Sequence, residues 1–184
     1  MPGFLESIRK IAGVLETLKI DYMLLGALAL PYYGRIRATE DVDMALCPDV
    51  ALHPELLEKL NNELKQRQVE IVTPLSGTTP VLAWTDFENK VEGEFWLEPD
   101  GVPMQKEILD RRIRRRFDNF ELWIIGPEDF IVNKLARPDR TPLDEDDVLS
   151  VLKKSGSTLD MDYLDRRAGE SGVSGLLHSL QQKI

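Results

Sequence analysis

Apolar residues recur at helical spacing from the start of the chain. Leu5, Ile8, Ile11, Ala12, Leu15 and Leu18 mark one face of an amphipathic helix over 4–19. The apolar run over 21–25 predicts a short strand, which Gly26 ends. The next apolar stretch, 27–33, predicts a short helix. Pro31 inside it predicts a kink or an early end, because proline is tolerated only in the first turn, where the N–H groups are unpaired anyway. Residues 42–47 read as a second strand. Pro54 fits the first position of a helix over 54–67, with Leu56, Leu57, Leu60 and Leu64 on one face. Val69–Thr73 reads as a brief strand. The segment 74–86 is interrupted by Pro74, Gly77 and Pro80 and reads as loop. Over 90–97 the alternation returns: Val91, Gly93, Phe95 and Leu97 share one face, and Glu92, Glu94 and Trp96 the other.

Residues 103–110 predict a helical turn or two. The segments 112–117 and 120–125 read as paired strands around Asp118-Asn119, residues suited to a turn. Gly126-Pro127-Glu128-Asp129 opens a helix through Ala136, with proline early and acids in the first turn. A polar break over 137–142 precedes a helix from Asp144 to Lys154, and two shorter helical patterns cover 160–168 and 173–182. The expected fold is α/β (α+β): a mixed sheet flanked by helices over residues 1–126, with a C-terminal helical segment, 127–184, packed on it.

Composition narrows the classes. With 184 residues, 42% hydrophobic and 30% charged, the chain can bury a core as one domain or a domain with a helical extension. A net charge of −9 argues against non-specific nucleic-acid binding through bulk charge. Cys47 is the only cysteine, so no internal disulfide is expected. No apolar run approaches the roughly 20 residues of a membrane-spanning helix, and no membrane partner is expected. Glu6 precedes Arg9 and Lys10, the reverse of a secretory signal, and a cytoplasmic location is expected. His53 and His178 stand far apart, with no zinc spacing.

The chemistry concentrates near one loop. Asp41 and Asp43 lie at i and i+2 on the second predicted strand and so point to one face, their Cα atoms roughly 6.6 Å apart. Carboxylates so spaced suit one or two divalent cations, as phosphoryl and nucleotidyl transfer require. Magnesium favours such carboxylates together with phosphates and water. Alone, Asp-x-Asp is also a common solvated strand end. The Gly26-Ala27 turn adds a helix start directly after a strand, where free N–H groups favour a phosphate.

The run Gly26 to Leu46, with Arg37-Ala38-Thr39-Glu40-Asp41-Val42-Asp43 at its centre, resembles the signature of the minimal nucleotidyltransferases of the DNA polymerase β-like superfamily. The likeness is to the bacterial group related to the abortive-infection type II toxins. A second stretch, Gly126-Pro127-Glu128-Asp129 through Lys134-Leu135 to Asp144 and Asp147, resembles that group's helix pair. The resemblance spans about residues 20–150. It implies a nucleotidyltransferase-like sheet, an NTP substrate, and Mg²⁺ or Mn²⁺ held by Asp41, Asp43 and a third carboxylate. Glu94 is the candidate for the third, with Glu92 on the same face as the alternative. The resemblance further implies that Gly26, Ala27, Arg37, Thr39 and Lys134 serve the nucleotide, and that the acceptor is a tRNA, a protein or a small molecule. Two positions depart from the family pattern: Glu94 stands where Asp is usual, and Ala27 stands where many active members carry Ser.

Those departures keep a second class open, a degenerate nucleotidyltransferase fold that binds nucleotide, RNA or a partner protein without turnover. A sugar transferase using Asp-x-Asp ranks third, since such folds usually need a longer chain. Other features have bland readings beside the functional ones. Lys134 is a phosphate ligand or a solvent-facing lysine. The acids Asp144 to Asp147 complement a helix N-terminus or serve the site. The run Arg111 to Arg116 binds RNA phosphates or forms a charged edge strand that pairs with local acids. Trp84, Trp96 and Trp123 read as packing.

Overall fold

The computed structural model describes residues 2–39, 41–47, 54–63, 70–72, 81–96 and 105–184. A mixed seven-stranded sheet forms the centre, in the order β3-β4-β5-β2-β1-β7-β6. The strands are β1 (Tyr22–Leu24), β2 (Asp41–Leu46), β3 (Glu70–Val72), β4 (Val81–Asp86), β5 (Val91–Trp96), β6 (Ile113–Phe117) and β7 (Phe120–Ile124). All three residues of β1 are buried, as a strand with neighbours on both edges and cover on both faces should be. It runs antiparallel to β2, with Leu24 opposite Met44, and parallel to β7. On its far side β2 runs parallel to β5.

Helix α1 (Pro2–Thr17) places Ile8, Ile11, Ala12 and Leu15 in the core, the face read from its periodicity. Helix α2 (Gly26–Ala29) lasts one turn and passes into a 3-10 turn, Leu30–Tyr32, with Pro31 at its start. The expected disruption at Pro31 is thus a change of helix type. Helix α3 (Pro54–Glu63) begins at the expected proline, and Leu64 lies outside the described residues. Helix α4 (Lys106–Asp110) precedes the hairpin of β6 and β7, whose turn residue Asp118 takes a left-handed φ of 51° that aspartate tolerates.

One expectation fails. Residues 81–86, expected to be loop, form strand β4, paired antiparallel to both β3 and β5. Val81, Leu82 and Trp84 are all buried although they fall on both faces, so no alternation announces the strand. The Trp84 ring packs against Gly93 of β5, where a Cβ would come within 2.3 Å of the ring.

The chain closes with α5 (Pro127–Ala136), α6 (Pro142–Ser155), α7 (Met161–Glu170) and α8 (Ser174–Gln181). Helix α6 starts two residues before the expected Asp144. Thr141 is its cap, and its N–H and hydroxyl both donate to the Asp144 carboxylate at 3.0 Å, with Pro142 in the first helical position. These helices seat on the sheet through shared contacts. Tyr33 donates to the Ile125 carbonyl at 2.9 Å, and Ser155 donates to the Tyr33 carbonyl at 2.8 Å. One apolar cluster runs from Ile8 in α1 to Leu180 in α8.

Candidate active site

The site is built where β1 meets α2. Leu25 remains extended and donates its N–H to the Asp43 carbonyl at 2.8 Å, tying the strand end to β2. The chain then turns at Gly26, which has φ +59°, a left-handed conformation that an L side chain adopts only at a cost. Glycine is needed here for space as well. A Cβ on Gly26 would lie 2.8 Å from Asp43 Oδ2. The Asp43 carboxylate therefore sits directly under the turn that starts α2. Ala27, the next residue, is buried and offers only its backbone to a ligand. The N-terminus of α2 has no side-chain cap.

Along β2, Val42 and Met44 are fully buried on one face while Asp41 is exposed and Asp43 half-buried on the other. The parallel register sets Asp41 beside Glu92 and Asp43 beside Glu94. Neighbouring strands are about 4.8 Å apart, so all four acids share one face of the sheet. Glu94 is half-buried and Glu92 exposed. Thr39 donates its hydroxyl to Asp41 Oδ1 at 2.6 Å and so orients that carboxylate.

The electrostatics are one-sided. Burial is the largest influence on Asp43 and pushes its carboxyl up; Asp41 adds to this, while a Trp96 hydrogen bond and the charges of Arg137 and Lys134 oppose it. Burial likewise raises Glu94, assisted by Asp43 and Asp41 and opposed by Arg137. Burial, reinforced by neighbouring negative charge, thus outweighs the cations within reach, as it does at many functional sites. Among the described residues no three His, Cys, Asp or Glu side chains form a ready-made metal cage. A hard cation such as Mg²⁺ needs only one or two carboxylates, completing its shell with phosphate and water. Asp41 and Asp43, with Glu94 alongside, have the donor chemistry for that role.

Lys134 and Arg37 are engaged by carboxylates of α6. Lys134 is only 4% exposed and does not face solvent. It donates to Asp144 Oδ1 at 2.8 Å and lies 3.8 Å from Asp147 Oδ2. Burial alone would raise Asp144, but hydrogen bonds from Lys134 and Thr141 outweigh it and hold the carboxyl below its ordinary range. Arg37 donates its Nε–H to Asp147 Oδ2 at 3.1 Å. Glu128 accepts from the Asp160 N–H at 2.8 Å, and Asp129 accepts from Tyr163 and the buried Arg167, fastening α7 to α5.

Three participants were not singled out from the sequence. Arg35 joins Arg37 on Asp147; two arginines close to each other and to the acid pair in sequence were the available signal. Arg137, just past α5, acts electrostatically on both Asp43 and Glu94, and nothing in its sequence context separates it from an ordinary helix-end cation. Trp96, two residues beyond Glu94 and on its face of β5, lowers Asp43 against its burial.

The arginine run is largely committed to local partners. Arg111 pairs with Asp160, Arg112 with Asp21, and Arg114 with Glu16 and Glu121, all on or beside the edge strand β6. Among the described residues no helix is long and apolar enough to cross a membrane.

Comparison with known proteins bears on the fold and the family. Among solved structures, the solution structure of the antibiotic-resistance factor ANT(2'')-Ia superposes with a TM-score of 0.57 at 14% identity, covering 95% of each chain, which establishes a common fold. An antigenic nucleotidyltransferase-like protein from Paracoccidioides brasiliensis gives 0.48 at 19% identity, over 98% of this chain and 91% of that one. The lincomycin-bound lincosamide antibiotic adenylyltransferase LnuA gives 0.49 at 15% identity, over 79% and 94%. No curated protein gives a significant match. Residues 4–171, a span that takes in Gly26, Asp41, Asp43, Glu94, Lys134 and Asp147, match the family described as "Nucleotidyl transferase of unknown function (DUF2204)", and the chain belongs to that family.

Proposed function

We propose that the protein is a Mg²⁺- or Mn²⁺-dependent nucleotidyltransferase that moves a nucleoside monophosphate from an NTP to an acceptor hydroxyl or phosphate. The observation that carries this is the Asp43 carboxylate seated under the Gly26 turn, with Asp41 and Glu94 on the same face. The acceptor oxygen forms a bond to the α-phosphorus, the bond to the bridging oxygen breaks, and pyrophosphate leaves. Asp41 and Asp43 would hold the cation, which would supply charge neutralisation for the transferring and leaving phosphates. Glu94, raised by burial and by its acidic neighbours, is suited to take the acceptor's proton. The backbone N–H groups of Gly26 and Ala27 face the triphosphate. Thr39 orients Asp41, while Arg37 and Lys134 act through Asp147 and Asp144. In this reading residues 1–126 carry the chemistry and 127–184 brace it. The Arg37-to-Asp43 spacing also supports a place near the abortive-infection type II toxins.

The test is transfer of label from an α-labelled NTP, with Mg²⁺ or Mn²⁺, into tRNA, protein or small-molecule fractions of a lysate. Label that appears with the wild type and is lost with Asp43→Asn supports the reading. Absence of both transfer and NTP binding by calorimetry overturns it. Ala27, which offers no hydroxyl to a phosphate, favours one alternative, a nucleotide-binding protein without turnover. NTP binding without transfer to any fraction is the outcome that selects it.

A further inference from the structure

Asp147 is a buried carboxylate met by three cations, yet it is remote from the acid pair in sequence. Its side chain is 0% exposed. Oδ1 accepts from Arg35 Nε at 2.8 Å and lies 2.8 Å from Arg35 Nη2, while Oδ2 accepts from Arg37 Nε at 3.1 Å and lies 3.8 Å from Lys134 Nζ. Three cations thus meet one buried charge. Helix capping does not account for this. Pro142 is the first helical residue, so Asp147 lies beyond the first turn, where the helix dipole has largely faded.

Both arginines belong to residues 35–39, a segment without helix or strand that precedes β2 in the chain. Its start is also moulded on α6. The Arg35 N–H donates to Ser150 Oγ at 3.1 Å, and Ser150 in turn donates to the Asp147 carbonyl at 2.7 Å. Gly34 passes so close that a Cβ would come within 2.3 Å of Ser150 Oγ. Lys154 donates to the carbonyls of Pro31 and Gly34, each at 3.0 Å. The segment's far end is Thr39, whose hydroxyl fixes Asp41.

We propose that Asp147 is a positioning residue for the acid pair: through Arg35 and Arg37 it holds segment 35–39 on the path that brings the Thr39 hydroxyl to Asp41, and so sets that carboxylate for its cation. It rests on the proposed function only in taking a divalent cation as the ligand of Asp41. Asp147→Asn keeps the side-chain shape but removes the charge that gathers the arginines, and one amide oxygen cannot replace two carboxylate oxygens. A partner that orients a metal ligand is worth about 10–100-fold in metal affinity.

The experiment uses the full-length protein with Mn²⁺ alone as the probe, followed by electron paramagnetic resonance, together with amide hydrogen exchange. Asp147→Asn is expected to speed exchange over residues 35–39 and to weaken Mn²⁺ binding about 10–100-fold, with exchange in β1 and α1 unchanged. Thr39→Val, which breaks only the last link, is expected to weaken Mn²⁺ by a similar factor with no change in exchange at Arg35. Thr39→Ser is expected to restore binding. If both residues act along one route, the double variant binds no more weakly than the weaker single one. Should Asp147→Asn also loosen the core, Arg37→Gln replaces it, with Arg37→Lys as its conservative partner. Unchanged exchange over 35–39 overturns the proposal, and so does faster exchange with wild-type Mn²⁺ affinity. A wild type that takes no Mn²⁺ overturns Asp41 as a cation ligand of the nucleotide-free protein, exchange over 35–39 then decides the clamp by itself, and label transfer decides the nucleotidyl-transfer reading separately.

Discussion

Gly26→Ala separates the two reasons for glycine at the turn. The first is conformational. At φ +59° an L residue is strained by about 1–2 kcal/mol, which in a chain of this length corresponds to a fall of roughly 2–8 °C in Tm. The second is spatial. The new Cβ would stand 2.8 Å from Asp43 Oδ2 where ordinary contact begins at 3.4 Å, so the oxygen must retreat by about 0.6 Å, the difference of the two. A carboxylate at the end of a flexible side chain can move that far at little cost in stability. Metal–oxygen distances, however, hold to about 0.2 Å, and misplacements approaching 1 Å cost up to about 100-fold in rate. The loss of Mn²⁺ binding and of transfer is therefore expected to exceed by far what the Tm change implies. Gly172→Ala supplies the control. Its φ is +70° and nothing lies within 4 Å of its Cβ position, so it carries the backbone strain without the collision. Thermal melts and Mn²⁺ titration of both variants are the assay. Equal Tm losses with wild-type Mn²⁺ affinity in Gly26→Ala would refute the argument that Asp43 is seated by this contact.

Three further outcomes follow from the charges. Asp43 and Glu94 are raised, chiefly by burial, so the folded state holds their protons more readily than the unfolded one; their ionisation costs stability, a cost that grows as pH rises through the raised values and is absent below the ordinary carboxylate range. Asp43→Asn and Glu94→Gln are accordingly expected to abolish transfer yet to gain about 1 kcal/mol near neutral pH, or roughly 2–4 °C in Tm, with no gain in acid; melts across pH check this. Lys134→Met leaves Asp144 and Asp147 with less compensation and is expected to cost about 3–5 kcal/mol, read as a lower urea midpoint; a lysine serving only phosphate would weaken NTP binding and leave the midpoint alone. Asp144 is held low by Lys134 and Thr141 against its burial, so its contribution is present above the ordinary carboxylate value and is lost as pH falls through the lowered one. Asp144→Asn is expected to destabilise near neutral pH, with the difference from wild type vanishing in acid, as measured by denaturant unfolding at each pH.

What the sequence made legible was local. Asp41 and Asp43 share a face because strand periodicity requires it, and Gly26 stands at a strand-to-helix turn that only a few residue types can make. Strand β4 was hidden for a physical reason: with neighbours on both edges and its apolar side chains buried on both faces, it has no alternation to display. The clamp on Asp147 was hidden for another. Its contacts with Arg35 and Arg37 span 112 and 110 residues, and no local pattern records a pairing of that range. One signal nevertheless lay in α5. Phe130, Ile131, Val132 and Leu135 are all buried, which is more of the helix circumference than a single apolar stripe occupies. A helix covered on most sides has little solvent to offer the ammonium of Lys134, and a buried cation needs an acid within reach. Asp144 and Asp147 are the acids that answer it. Because the same Asp147 also gathers Arg35 and Arg37, the charge that makes Lys134 tolerable in the core is the charge that holds the approach to Asp41. Part of the compensation of Lys134 and the proposed alignment of the acid pair therefore draw on one carboxylate.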